Sequence, residues 1–375
     1  MEIYLDNSAT TKVCDGAYKA IIKALEINYG NPSSVHTQGI AAAGCLQNAR
    51  EQVSKALGCS SEDLYFSGSG TMANNAAILG TAEALKHRGN KIIISNIEHP
   101  SVNETVKHLE NKGFEVIRLQ NGSDGSFAKG HLEEAVDGKT ILISVMLVNN
   151  ETGVINPVEY ISSVVKRTGA PAYIHCDAVQ ALGKLPLKPS ALGVDLLTVS
   201  SHKIHGPKGA GALYIRKSLK LSPIFFGGGH EKGFFPGTEA VPAIAGFGGA
   251  AAGIPPCEMQ LEKTVALRDR LLRQLEGIPD IYNNSPPEGL PYITNISVTG
   301  VKSEPLINYL SGNGIYISSG SACKKGKRSD VLTALGLPPE RIDCAARISL
   351  SRYNTEGDID ILCDNIWGAV KKFRR

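Results

Sequence analysis

From about residue 63 to residue 215, apolar runs of strand length alternate with longer stretches of helical periodicity. The run at 64–66 leads through a glycine-rich turn into a helix expected at 72–86. Lys91–Ser95 reads as a strand that stops at Glu98-His99, and 140–148 as one that stops at Asn149-Asn150. The run 173–176 stops at Asp177, and 196–199 stops at Ser200. Alternation of this kind predicts an α/β fold around a mostly parallel central sheet flanked by helices. Ligands of such a sheet sit beyond the carboxyl ends of its strands, so these five polar clusters are candidates for a single site. Past Pro255-Pro256 the pattern changes. An amphipathic stretch at 258–275 is expected to be a connecting helix, followed by short strands at Ile293–Val298, 315–318 and 346–350 and a final helix at 358–373. The chain is thus expected to hold a large domain, 15–255, and a smaller α+β domain made of 1–14 and 256–375.

Composition narrows the function. The chain has 375 residues, 42% of them hydrophobic, enough for a sizeable core. Its 39 basic and 36 acidic residues leave a net charge of +3 without a basic block, which points to small metabolites and away from nucleic acid. The basic end from Lys371 to Arg375 suits a helix C-terminus. The start, Met1-Glu2-Ile3-Tyr4-Leu5-Asp6, is unlike a signal peptide, and the most apolar later stretch, 240–256, is broken by glycine and proline. A cytoplasmic protein without membrane attachment is expected. Eight cysteines lie scattered with no C-x-x-C pair, which fits reduced thiols and no metal site.

The strand ends carry the chemistry. Ser67-Gly68-Ser69-Gly70-Thr71 joins a strand to a helix, where free N–H groups and the hydroxyls of Ser69 and Thr71 form a cup for a phosphate. It has neither the G-K-[ST] of a Walker loop nor the dinucleotide G-x-G-x-x-G spacing. Asp177 closes an apolar strand, where a carboxylate needs a cation, and a protonated pyridine nitrogen is one. Gln180, three residues on, is placed to donate to a phenolate oxygen. Lys203 ends the next strand, flanked by Ser200 and His202, at a suitable place for an imine with an aldehyde of the same ring. His99 offers a flat side chain for stacking. Together these are the requirements of pyridoxal phosphate, whose ring nitrogen must stay protonated and whose aldehyde must be held by an amine.

The motifs "YLDNSATT" (4–11), "GNPSS" (30–34), "EH" (98–99), "VNNETG" (148–153), "HCDAVQALGK" (175–184), "SSHKIHGPKGAGALY" (200–214), "GGGHEKG" (227–233), "SSGSAC" (318–323) and "RISLSR" (347–352) run through the whole chain. In this order they resemble the cysteine desulfurases of the NifS/IscS-like group, within the class V aminotransferases of PLP fold type I. The resemblance implies that Lys203 anchors the cofactor, Asp177 pairs with its ring nitrogen, Gln180 contacts the ring oxygen and His99 stacks on the ring. It implies that Gly70, Thr71, Ser200 and His202 hold the phosphate, joined by Thr238 of a neighbouring subunit in a homodimer. Asn150 and Arg347 would hold the carboxylate of L-cysteine, and Cys323 would be the nucleophile, its thiolate favoured by Lys324 and Lys325. Lys203 and His99 are the implied proton carriers. The implied reaction turns L-cysteine into L-alanine and a persulfide on Cys323, which then passes its sulfur to an acceptor protein or thiol, such as an iron–sulfur scaffold, or into tRNA thiolation.

The chain departs from the family pattern at Met72, where the family usually has Glu after the threonine, and at Phe235-Pro236, where it usually has Arg-Ser. The stretch from Cys323 to Leu332 is about two residues short and strongly basic. The sequence leaves open a selenocysteine lyase, a class V aminotransferase without need of Cys323, and a cofactor-free sulfur-transfer scaffold.

Overall fold

The computed structural model describes residues 2–319 and 328–374. After a short N-terminal strand, β1 (Ile3–Tyr4), come β2 (Leu64–Ser67), β3 (Lys91–Ser95), β4 (Glu115–Leu119), β5 (Thr140–Met146), β6 (Tyr173–Asp177), β7 (Leu196–Ser200) and β8 (Gly211–Ile215). The last seven form one sheet in the order β2-β8-β7-β6-β5-β3-β4, in which only β8 runs against its neighbours. Every residue of β5 and β7 is buried, as expected of strands covered by helices on both faces. Register aligns the strand ends: Met146 lies opposite Asp177, and Gly211 pairs with both Ser67 and Ser200. The polar clusters therefore reach a common edge.

On one side of this sheet the helices Asp15–Glu26, Thr37–Leu57 and Val241–Ala252 pack together. Val241–Ala252 is rich in glycine and alanine because its neighbours approach at backbone distance. A Cβ on Gly248 would lie 2.6 Å from Ala49 Cα, and one on Gly249 2.6 Å from the Gly16 carbonyl. The most apolar stretch of the sequence is thus a packing surface, and no helix among the described residues is long and apolar enough to cross a membrane.

A second apolar core lies under a three-stranded antiparallel sheet of β9 (Ile281–Asn283), β10 (Ile293–Val298) and β12 (Ala345–Ser349), in the order β12-β10-β9. Helices Cys257–Glu276 and Glu356–Phe373 supply Leu267, Leu271, Ile359 and Ile366 to it. Glu356–Phe373 begins earlier than its apolar pattern does because Thr355 and Asp358 form a reciprocal capping box. The strand expected to reach residue 318 is the shorter β11 (Ile315–Tyr316), paired in parallel with β1. Beyond it the chain touches β12 again, through a bridge between Ser318 and Arg347.

Segment 4–11 joins the two sheets. Asp6 bridges to Ser349, Tyr4 Oη donates to the Thr10 carbonyl, and Thr11 N donates to the His202 carbonyl at 3.0 Å. The first motif of the sequence is a strap that reaches from the small sheet to the loop carrying Lys203.

Candidate active site

A cavity of about 400 Å³ opens at the shared edge of the strands. Of the residues singled out in the sequence, Gly70, Thr71, His99, Asn150, Asp177, Gln180, Ser200, His202, Lys203 and Arg347 line it. Thr238 is not among its lining residues. Cys323 lies outside the described residues. The chain on either side of it is nonetheless tied to the site, since Ser318 is paired with Arg347 while Asp330 and Val331 line the cavity.

One end of the cavity is an anion cup. Ser69 caps the helix Gly70–Leu85 by accepting from Met72 N at 3.1 Å, leaving first-turn N–H groups without a partner inside the helix. The turn is held tight by β8, because a Cβ on Gly211 would lie 2.5 Å from the Ser69 carbonyl carbon. At Gly70 a Cβ would meet Val179 at 3.1 Å and Ser200 at 3.4 Å, so glycine keeps this wall open. His202 stands beside the cup with Nδ1 3.2 Å from Thr10 Oγ1. Burial first, then the charges of Lys203, Lys208 and Lys184, pushes its pKa down to about 4, so the ring is neutral.

Asp177 ends β6 buried among uncharged groups. Its Oδ2 accepts from Asn74 Nδ2 at 2.7 Å and its Oδ1 from Val179 N at 3.0 Å. Asn74 Nδ2 also donates to Ser101 Oγ at 2.8 Å, and Ser101 Oγ lies 2.8 Å from His99 Nδ1. The Ser101 backbone N donates to that same Nδ1 at 3.1 Å, so Nδ1 is an acceptor and the proton of the neutral ring sits on Nε2. Burial lowers the pKa of His99, with Lys203 adding to the shift and Asp177 opposing it. The sequence carried no sign of Asn74. It sits in a helix of small residues, and only long-range packing brings it under Asp177.

Glu98 is a second carboxyl of the cavity wall. Its Oε1 accepts from Ser95 Oγ and from Met146 N at 2.8 Å, while Oε2 is buried without a partner among the described residues. Burial, aided by the negative charge of Asp177, raises its pKa to about 8 despite those hydrogen bonds, so it is mostly protonated at neutral pH.

Lys203 closes a single helical turn after β7, and its Nζ donates to the carbonyls of Ser8 and Ala9 at 2.6 and 2.8 Å. Gln180 Nε2 donates to the Ser8 carbonyl at 3.0 Å. Arg347, 2% exposed on β12, completes the far wall: one terminal nitrogen donates to the Asn150 carbonyl at 2.9 Å and the other to Asp6 Oδ1 at 2.7 Å. Its Nε is buried without a partner among the described residues. The cavity so built has an anion cup at one end, a carboxylate and a lysine along its length, and a guanidinium opposite. It can hold a phosphorylated aromatic ring together with an amino acid's carboxylate.

Of the departures in sequence, Met72 is partly exposed on the first helical turn, and Phe235 is buried against Phe225 and Phe234. That aromatic cluster gives Phe235 a packing role where the family has a charged residue.

A family model described as aminotransferase class-V matches residues 3–362. A cysteine desulfurase of Nostoc sp. is 41% identical, with 99% of this chain and 94% of that protein covered. A cysteine desulfurase IscS of Methanosarcina thermophila is 39% identical, over 99% of this chain and 93% of its own length. Among solved structures, a NifS-like protein superposes with a TM-score of 0.93 at 36% identity, covering 99% of this chain and 100% of that one. SspA in complex with cysteine gives a TM-score of 0.83 at 31% identity, covering 95% of this chain and 100% of that one.

Proposed function

The chain belongs to the class V aminotransferase family, and on that premise we propose a role for each residue of its site in a pyridoxal-phosphate-dependent cysteine desulfurase. The activity is conversion of L-cysteine to L-alanine with removal of sulfur. One observation carries this reading: an anion cup, a buried carboxylate, a lysine and a buried arginine meet on a single cavity of about 400 Å³.

The residues fit the cofactor. Gly70 leaves room between Val179 and Ser200, and buried Ser8 Oγ and Arg347 Nε lack partners among the described residues, as polar groups awaiting a ligand do. Ser69, Gly70, Thr71, Ser200 and His202 would hold its phosphate, Asp177 its ring nitrogen, Gln180 its ring oxygen and Lys203 its aldehyde carbon. When bound, it supplies an electron sink conjugated to the α-carbon of the amino acid.

The chain's own groups do the rest. Arg347 and Asn150 hold the substrate carboxylate, which fixes the α-hydrogen relative to Lys203. The Lys203 nitrogen, when not engaged with the cofactor, would take up the α-proton. His99 holds a proton at Nε2 for return to carbon. Asp177, held in place by the hydrogen bonds it accepts from Asn74 and Val179, would face the ring nitrogen. The Cys323 thiolate forms a bond to the substrate sulfur as the carbon–sulfur bond breaks. The electron pair of that bond stays on carbon, which takes up a proton, and the enzyme retains a persulfide. An acceptor thiol or protein then removes the outer sulfur.

The polypeptide would divide into a large domain, 15–255, and a small one, 1–14 with 256–375, that carries Cys323; the separate core under β10 and β12 supports the division. A homodimer, with Thr238 entering the partner's phosphate site, is supported by exposed Tyr29, Val35 and Phe226 and by the absence of Thr238 from the lining of its own chain's cavity. A cytoplasmic setting is supported by the free state of the described cysteines.

Alanine formation from L-cysteine, measured by amino-acid analysis, tests the reading. Lys203→Ala is expected to lose roughly 10³-fold in rate. A rate that depends on added keto acid, with its amino counterpart accumulating, would replace the desulfurase by an aminotransferase.

A further inference from the structure

Behind Gln180 lies a lysine for which the reaction above has no use. Lys184 is 6% exposed, its Nζ donates to Gln180 Oε1 at 2.9 Å, and it stands 5.9 Å from the centre of the Tyr292 ring. No carboxylate pairs with it among the described residues. The charged groups around it are Lys203 and Arg347, and it in turn lowers the pKa of His202 and His205. On its other side a small cavity is shared with Tyr292 and Arg352. Burial, then the charges of Lys203 and Arg347, brings Lys184 from 10.5 down to about 7. A buried ammonium without a counter-ion costs stability, and such arrangements concentrate at functional sites.

The chemistry of Gln180 explains what the lysine does. A carboxamide is nearly symmetric in shape, but one end accepts and the other donates. The Ser8 carbonyl can only accept, so the nitrogen of Gln180 must face it, and the oxygen is left to face Lys184. Two groups on opposite sides therefore enforce one orientation. Nε2 carries two hydrogens; Ser8 takes one, and the other remains for a ligand in the cavity that Gln180 lines.

We propose that Lys184 is a positioning residue: it locks the Gln180 carboxamide with its N–H toward the ring oxygen of the cofactor, and its charge lowers the proton affinity of the Lys203 nitrogen that anchors the cofactor. The proposal rests on the cofactor assignment above. Both effects act in one direction, because a donor on the ring oxygen and a cation behind it each disfavour a further proton nearby.

The test is a pH titration of the visible absorbance of the bound cofactor in holoprotein without substrate. Lys184→Met is expected to raise the midpoint by roughly one pH unit. Lys184→Arg, which keeps the charge and a donor, is expected to stay close to native, and in a Gln180→Leu background Lys184→Met is expected to add only the smaller rise that loss of the charge gives. Lys184→Gln, which retains a donor without the charge, serves in place of the methionine variant if that one does not fold, with a smaller rise expected. An unchanged midpoint in a folded, cofactor-bound charge-removing variant overturns the proposal. Equal shifts in the Met and Arg variants also overturn it, since they would reduce Lys184 to packing. Failure of the underlying assignment looks different: the native protein would then show no visible cofactor band.

Discussion

Arg347 holds two oxygens of the chain itself, the Asn150 carbonyl and Asp6 Oδ1, and its buried Nε has no partner among the described residues. Its fork is thus fixed before any substrate arrives, which is the condition for selective binding of a carboxylate. Arg347→Lys keeps the charge and loses the fork. It is expected to raise KM for L-cysteine roughly 10- to 100-fold while kcat falls less, as steady-state kinetics will measure. Asp177 and Lys203 are legible in the sequence because each is a charge set at the end of an apolar strand, a placement that only a partner makes tolerable, whereas Arg347 is legible only through the resemblance its motif carries. Asn74, Ser101 and the orienting role of Lys184 are not legible in that way. Their meaning comes from contacts across the fold, and an asparagine in an alanine-rich helix or a lysine after a glycine has many commoner explanations. Glu98 stood in the sequence as the neighbour of His99, yet its protonation follows from a burial that no local pattern records.

The elements that carry the site were readable where an apolar run was bounded by polar residues. The strand ends at 95, 177 and 200 and the helix Glu356–Phe373 fall within a residue or two of the sequence pattern. β4 was harder, because Glu115 and Arg118 leave it part-polar at the sheet's edge. β8 was hidden inside a glycine-rich motif that reads as a loop. Its glycine has a definite task, since Gly211 lets β8 run against the turn that forms the anion cup. Gly211→Ala would drive a methyl group into the Ser69 backbone and displace that turn. The expected result is a loss of roughly tenfold or more in affinity for pyridoxal phosphate, read by equilibrium titration, with a loss of about 1–3 kcal/mol in stability. Unchanged cofactor affinity would mean that the first turn of Gly70–Leu85 does not hold the phosphate.

At the scale of the molecule, the site is assembled from parts far apart in the chain, and the strap at 4–11 ties them together. It hydrogen-bonds to β12 at one end, offers Ser8 and Ala9 carbonyls to Lys203 in the middle and meets the His202 carbonyl at the other. The same strap receives Gln180 and, through Asp6, orients Arg347. Both ends of the cavity are therefore set by one segment, and the chain flanking Cys323 is fastened to the Arg347 end through Ser318 and to the cavity wall through Val331. In the proposed reaction, sulfur leaves L-cysteine by way of Cys323. The measurement that tests it is release of sulfide and alanine from L-cysteine, with a thiol reductant present, by native protein and by Cys323→Ala in parallel. Equimolar sulfide and alanine are expected from the native protein and neither above background from the variant. Sulfide and alanine released by Cys323→Ala at the native rate would contradict it.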